Sequence, residues 1–289
     1  MTAETTRFAP SPTNRLHLGH AYSAWFAWKA ADMAVGGRFL LRIEDLDSLR
    51  CRPEFAAAII EDLAWLGFRW PQPVLHQSER YAVYRTALAR LLADELAYPC
   101  FCSRKDIARE IAESGGAPHL DAMGAALYPG TCRALSAEER VRRIEHGEAY
   151  AVRLDSAAVR LRHGPQSWSD RATGRRVPVD INALGDVVIA RRDIPASYHL
   201  AVVVDDAEQG VTLVTRGADL VPATNVHRML QAALGLPEPD YHHHPLIADV
   251  EGRRLAKRDN PETLAMLREA GVTPQEVWRR LGVADHPPE

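Results

Sequence analysis

Lysine is nearly absent from this sequence. The 289 residues include 32 arginines but only three lysines, Lys29, Lys105 and Lys257. Arginine presents a planar fork of donors, whereas lysine presents a compact point charge on a flexible stem, so the two suit different binding sites. A lysine kept against this bias is a candidate for a specific role. We expect such a role for Lys257 only.

Long apolar stretches and cysteines are also few. The most apolar segment, residues 21–35, contains Lys29 and Asp32 and falls short of the roughly 20 apolar residues that cross a bilayer. The first ten residues lack the apolar core of a secretory signal. We therefore expect a cytoplasmic protein without a membrane partner. In that compartment the three clustered cysteines among the four, at positions 100, 102 and 132, point to metal binding or catalysis rather than to disulfides.

Neither sign of charge dominates. The 35 basic and 38 acidic residues give a net charge of −3, which excludes nucleic-acid binding through overall positive charge. The distribution is uneven, because residues 140–192 hold 11 basic and 6 acidic side chains whereas residues 193–289 hold 9 and 15. The middle segment is predicted to carry a basic face suited to phosphates, although a solvated arginine-rich surface explains the same counts.

Helix and strand patterns alternate along most of the chain. The predicted elements are an extended segment at 5–9, a helix at 22–35, a strand at 38–43, helices at 55–66 and 80–97, strands at 200–205 and 210–215, a helix at 223–234 and short helices at 261–270 and 274–281. This alternation predicts an α/β fold with a doubly wound, Rossmann-type parallel sheet. Between residues 98 and 194 proline, glycine and cysteine become frequent, which predicts an inserted module.

Two separate elements carry candidate phosphate ligands. His17-Leu18-Gly19-His20 opens a helix after a proline-rich turn, and a helix N-terminus attracts phosphate through its N–H groups and dipole. A pair of helix-capping histidines explains this motif equally well. Far along the chain, the basic loop GRRLAKR (252–258) offers Arg254 and Lys257, whose charges can neutralise a reacting triphosphate. Taken alone, that loop is better explained as a solvated surface.

Together, these elements resemble the HIGH and KMSKS motifs of class I aminoacyl-tRNA synthetases. The segments RFAPSPT (7–13), FLLRIEDLD (39–47) and VTRGADL (214–220) are similar in order and content to the glutamyl-tRNA synthetase family. The short chain, the segment LAVVVDDAEQGVT (200–212) and the cysteine spacing most resemble its truncated branch, the glutamyl-Q tRNA(Asp) synthetases.

The resemblance implies a catalytic domain that binds ATP, with Mg²⁺, and L-glutamate. The ATP site would contain His17, Gly19, His20, Arg254 and Lys257, and the two histidines and the lysine would stabilise charge during catalysis. The catalytic domain would comprise residues 1–97 and 195–250, with the motif loop and a short helical segment at 251–289.

The implied glutamate site matches the charges of its substrate. Glutamate has two carboxylates and one ammonium, so it requires guanidinium forks for the former and a carboxylate for the latter. The implied residues are Arg7, Ala9, Ser11, Glu44, Tyr198 and Arg216. Glu44 is expected to take the ammonium, while either arginine could take either carboxylate. The alternative for Glu44 is an acidic surface patch.

The clustered cysteines predict one structural zinc ion. Three thiolates, Cys100, Cys102 and Cys132, need one further donor to complete a closed tetrahedral site. The resemblance implies Tyr128 as that donor, and His119 competes with it. Cys51 is expected to be an uninvolved thiol.

The resemblance also implies the acceptor, the anticodon stem-loop of tRNA(Asp) containing queuosine, contacted by the inserted module of a monomeric enzyme. Because only 32 residues follow Lys257, no anticodon-binding domain is expected. A short glutamyl-tRNA synthetase that charges the 3′ end of tRNA(Glu) is the alternative. A small-molecule adenylyltransferase and a non-catalytic, zinc-bearing RNA-binding module are the alternatives from other classes.

Four residues, at three places in the chain, depart from the family pattern. Asn14 replaces a usual glycine, Ser48-Leu49 replaces a common Thr-Pro, and Ala256 stands where the KMSKS motif has serine. Loss of that hydroxyl removes one phosphate hydrogen bond and predicts slower activation. The run His242–His244 is interpreted as a strand leading into the nucleotide site rather than as a metal site.

Overall fold

The computed structural model describes residues 3–113, 127–191, 194, 196–247 and 262–287. Its strands are β1 (Thr5–Phe8), β2 (Arg38–Ile43), β3 (Leu75–His76), β4 (Ala97–Cys100), β5 (Ala151–Leu154), β6 (Ser167–Asp170), β7 (Arg175–Pro178), β8 (Val188–Arg191), β9 (Leu213–Gly217) and β10 (Asp240–His244). Its helices are α1 (Leu18–Ala31), α2 (Pro53–Trp65), α3 (Tyr81–Ala93), α4 (Arg104–Glu113), α5 (Ala137–Glu145), α6 (Ser156–His163), α7 (Ile181–Leu184), α8 (Tyr198–Glu208), α9 (Val221–Leu234), α10 (Leu264–Glu269) and α11 (Pro274–Leu281).

Two parallel sheets meet at β1 and β9. The first has the order β1–β2–β3, and in the second β10 pairs in parallel with both β9 and β6. The sheets join where the Thr212 N–H donates to the Thr5 carbonyl at 3.0 Å. Strands β1, β2 and β3 lie on one side of this junction, and β9 and β10 lie on the other side. Ligands of open α/β sheets bind at such a switch point, beyond the carboxyl ends of the strands.

The predicted α/β fold with a parallel sheet is confirmed, but one element was predicted wrongly. Residues 200–205 are not a strand: they lie within α8. The apolar run hides the helical period because every residue from Leu200 to Asp206 is buried, so no polar face remains to mark it. The helix predicted at 80–97 ends earlier, at Ala93. Ala97, the last residue of the predicted helix, is instead the first residue of β4.

The segment 98–194, predicted to be an inserted module, contributes to two sheets. Strands β4, β5 and β8 form an antiparallel sheet of their own. The β6–β7 hairpin instead extends the second parallel sheet, because β6 pairs with β10.

The chain after residue 261 packs on the first sheet. Leu264, Leu267 and Trp278 are buried in a cluster that includes Phe39 of β2 and Phe68. The ring of Trp278 contacts that of Phe68 edge-to-face, with centroids 5.7 Å apart. No helix in the described ranges is both long and apolar enough to cross a membrane.

Candidate active site

Both histidines of the HLGH motif cap the N-terminus of α1. The Gly19 N–H donates to Nδ1 of His17 at 3.0 Å, and the His17 N–H donates to Nδ1 of His20 at 3.2 Å. The capping interpretation is therefore confirmed. Because each Nδ1 accepts a hydrogen bond, a neutral imidazole at either position carries its proton on Nε2, where it can donate to an anion.

Gly19 allows this arrangement. A methyl group at residue 19 would lie 2.9 Å from Cε1 and 3.1 Å from Nδ1 of His17. A side chain there would push the imidazole off the helix terminus.

The described residues that flank the basic loop in sequence lie beside α1. On one side, the Leu264 N–H donates to the Leu16 carbonyl at 2.8 Å, and Thr263 forms a β-bridge with His17. On the other side, the His244 ring at the end of β10 contacts the Tyr22 ring, with centroids 5.2 Å apart. Arg254, Ala256 and Lys257 themselves lie outside the described residues.

A cavity of about 350 Å³ opens at the switch point. Ser11, Glu44 and Tyr198, three of the residues predicted to bind glutamate, line it. Ala9 is half-buried between β1 and the turn that carries Ser11. Cys51 also lines this cavity, and it is not among the clustered cysteines described below.

Glu44 is buried directly after β2, which excludes the surface-patch alternative. Its side chain is 7% exposed and its carboxylate accepts from Nη2 of Arg42 at 3.3 Å. Burial raises the pKa of Glu44 to about 7, against the opposing effect of Arg42 and Arg7. Its N–H donates to the Pro10 carbonyl at 3.0 Å, which ties the residue to the end of β1.

Arg7 is held by a carboxylate from α8. Its Nε donates to Oδ1 of Asp206 at 3.0 Å and its Nη1 donates to the Thr215 carbonyl at 3.2 Å. The same Asp206 oxygen lies 2.8 Å from Nη1 of Arg42. The charges of Arg7 and Arg42 hold the pKa of Asp206 below its usual range despite its burial.

Arg216 is buried on β9 among neutral groups. Its guanidinium donates to Thr224 Oγ1 at 2.6 Å, to Nδ1 of His227 at 3.1 Å and to the Tyr198 hydroxyl at 3.4 Å. In the described part of the chain, no acidic side chain forms an ion pair with it. An arginine that is 6% exposed and lacks a carboxylate is a candidate anion ligand.

The sequence did not predict several residues that shape this site. Asp205 accepts from Gln77, Arg80 and Tyr84, each at 2.8 Å, and so fixes α8 against α3. The position of Asp205 and Asp206 at the end of an apolar run was the one indication in the sequence that these aspartates are buried in the site. Thr224 and His227 lie on α9, and nothing in their local sequence marks them.

A second cluster brings together all three cysteines predicted to bind zinc. The sulfur atoms of Cys100, Cys102 and Cys132 lie within 4.8 Å of one another. The Tyr128 hydroxyl lies 3.5 Å from Sγ of Cys102 and accepts from the Cys132 N–H at 2.7 Å. His119 lies outside the described residues.

Arg153 places a positive charge against this cluster. Its Nε donates to Sγ of Cys100 at 3.2 Å, and its guanidinium lies 3.9 Å from the centre of the Tyr128 ring. Burial raises the pKa of Cys102 to about 11, whereas hydrogen bonds from Tyr128 and the Phe101 N–H hold the pKa of Cys132 below its usual range despite its burial. Three sulfur donors and an adjacent phenol fit Zn²⁺.

The sequence profile described as "tRNA synthetases class I (E and Q), catalytic domain" matches residues 4–287. The chain belongs to this family. It is 49% identical over 284 residues to the glutamyl-Q tRNA(Asp) synthetase of Rhodobacter capsulatus, in a match that covers 96% of this chain and 99% of that protein. It is 44% identical to the protein of the same name from Symbiobacterium thermophilum, covering 97% and 87% of the two chains.

Among solved structures, this class I synthetase chain is similar to a glutamate tRNA ligase from Elizabethkingia meningosepticum in complex with its amino acid. The two are 30% identical with a TM-score of 0.75. The match covers 90% of this chain and 53% of the ligase, so the chain spans about half the length of that protein.

Proposed function

We propose that this protein activates L-glutamate with ATP and transfers the glutamyl group to the cyclopentenediol of queuosine at the wobble position of tRNA(Asp). The charge pattern at the switch point carries the proposal. Tyr198 lines a cavity with Glu44 and accepts from Arg216, whose charge no described carboxylate neutralises. Arg216 and Glu44 thus offer one cation and one anion to glutamate, and the guanidinium of Arg7, already paired with Asp206, acts electrostatically on Glu44. The relatives named glutamyl-Q tRNA(Asp) synthetase support the acceptor.

In the first step the glutamate α-carboxylate attacks the α-phosphorus of ATP and pyrophosphate leaves. The nucleophile is already ionised, so the enzyme needs no general base and acts through positioning and electrostatics. His17 and His20 would donate to phosphate oxygens, and Arg254 and Lys257 would neutralise the leaving pyrophosphate. Mg²⁺ accompanies ATP as part of the substrate. In the second step a queuosine hydroxyl takes the glutamyl group and AMP leaves.

The inserted module, residues 98–194, is proposed to contact the tRNA. The enzyme is proposed to act as a monomer. Arg160, Arg162 and Arg175 are exposed there and form no ion pair with an acidic side chain in the described ranges. Such arginines are available to neutralise phosphates.

Glutamate-dependent ATP–pyrophosphate exchange without tRNA tests the activation step. We expect exchange with L-glutamate and strong discrimination against aspartate and glutamine, because an amide leaves an arginine without its carboxylate. Exchange that any amino acid supports, or no exchange at all, would exclude the proposed activity.

The pKa of Glu44 predicts a pH dependence of glutamate use. Its carboxylate must be ionised to bind the substrate ammonium, and its pKa is about 7 in the free protein. As the pH falls below 7 we therefore expect kcat/KM for glutamate to fall by about tenfold per pH unit, with a plateau above 8. Exchange rates from pH 6 to 8.5 measure this. A Glu44→Gln variant should be slow and should lack this limb, whereas a flat wild-type profile contradicts the assignment.

We propose one structural Zn²⁺ bound by Cys100, Cys102, Cys132 and Tyr128. The ion would cross-link the end of β4 to the segment around Cys132. We expect Cys100→Ser to reduce bound zinc from about one per chain to a small fraction and to lower the melting temperature, since structural metal sites stabilise the fold directly. Metal analysis of purified protein measures this. Cys51→Ser is the matched control for metal content, and a Cys100→Ser variant with full zinc refutes the site.

A further inference from the structure

The groups that hold Arg216 are all uncharged. Thr224 accepts from Nη2 at 2.6 Å, Nδ1 of His227 lies 3.1 Å from Nη1, and Nε2 of His243 lies 3.4 Å from Nε. Each direction in which the guanidinium donates within the protein therefore meets a neutral acceptor. We call Thr224, His227 and His243 the neutral cage.

Hydrogen-bond chemistry fixes the tautomers within the cage. A guanidinium can only donate, so Nδ1 of His227 must accept and its proton lies on Nε2. That Nε2 is 3.2 Å from Nδ1 of His199, which must then accept. Thr224 accepts from Arg216 and so donates its own proton to Nε2 of His243, 3.1 Å away. Every proton in the cage thus has one position.

The cage stays uncharged around neutral pH. Burial lowers the pKa of His243 to about 3, with the charge of Arg216 acting in the same direction. The same two causes lower the pKa of His199 to about 4 and hold that of His227 well below its usual range.

The other buried arginines of the site are held differently. Arg7 is paired with Asp206, and Arg42 contacts both Asp206 and Glu44. Arg216 has the same degree of burial without a carboxylate. A buried carboxylate beside it would neutralise the guanidinium and compete with an anionic ligand, whereas an imidazole orients it and leaves its charge intact.

We propose that His227 is a specificity-determining positioning residue, which orients Arg216 through a neutral acceptor so that the full guanidinium charge is directed at a carboxylate of the amino-acid substrate. The inference rests on the proposed function, since it assigns to Arg216 a carboxylate of glutamate. His227 itself need not touch the substrate, because it acts through its hydrogen bond with Arg216.

A pair of nearly isosteric variants tests the role of charge. His227→Gln and His227→Glu both offer a carbonyl-type oxygen to Arg216, but only glutamate adds a negative charge. We expect KM for glutamate in the exchange assay to stay within about 3-fold of wild type for His227→Gln. For His227→Glu it should rise by about 100-fold or more, while KM for ATP is unchanged in both. His227→Leu, which offers no acceptor, should raise KM for glutamate by about 10-fold.

Equal KM values for glutamate in the Gln and Glu variants would overturn the role of neutrality. If the Glu variant does not fold, as melting temperature reports, the Leu and Gln variants decide: equal KM values there remove His227 as a positioning residue. In either case wild-type exchange with glutamate leaves the proposed function standing. Absence of exchange in the wild type would remove both proposals.

Discussion

Replacing Arg216 by glutamine is expected to lower kcat/KM for glutamate-dependent exchange by about 10³-fold. The side chain is buried and its charge is unpaired in the described part of the site, so the substrate carboxylate is the partner that would compensate it. Removing one partner of a buried, hydrogen-bonded charge pair costs about 4 kcal/mol, which corresponds to this factor. Steady-state exchange at varied glutamate concentration measures the effect.

Arg228→Gln is the matched control for the loss of a buried arginine. Arg228 lies on α9, is 8% exposed, and pairs with Glu238 at 3.2 Å rather than facing the cavity. Its loss should lower the melting temperature but leave KM for glutamate unchanged. A similar rise in KM in both variants would mean that Arg216 acts only through stability.

Replacing Lys257 by alanine is expected to lower kcat by about 10²–10³-fold with a smaller change in KM for ATP. The lysine charge is proposed to act on the triphosphate as its charge redistributes, so its contribution is greatest in the transition state. Single-turnover formation of glutamyl-adenylate measures the step directly. Lys105→Ala, at one of the two lysines without an assigned role, should be indistinguishable from wild type. An unchanged rate for Lys257→Ala removes this lysine from the mechanism.

Strands β2 and β9 of the parallel sheets were predictable because they are short, mostly apolar runs close to recognisable helices. The strand at 38–43 has the bounds that the sequence predicted. The error at 200–205 has a simple cause, since a helix buried on all sides shows the same run of apolar residues as a buried strand. Asp205 and Asp206, at the end of this run, are buried because they pair with Arg80 and Arg7. The sequence does not show these partners, so the two aspartates did not reveal the helix.

The candidate site divides in the same way. HLGH and the cysteines are visible as local motifs, and the structure brings each set together. Arg7, Glu44 and Arg216 were identified by resemblance, because the chain separates them widely. The neutral cage could not be predicted, since its members come from α9 and β10 and their function depends on burial and on the orientation of Arg216.

Identifying the nucleoside that accepts glutamate is the most direct test of the proposed function. Purified enzyme, ATP and radiolabelled glutamate should label tRNA(Asp) that contains queuosine and should not label the same tRNA lacking it. The label should resist removal of the 3′-terminal adenosine and remain with the anticodon fragment after nuclease digestion. Label on the 3′ end of tRNA(Glu), with none on queuosine-containing tRNA(Asp), would contradict the proposed function.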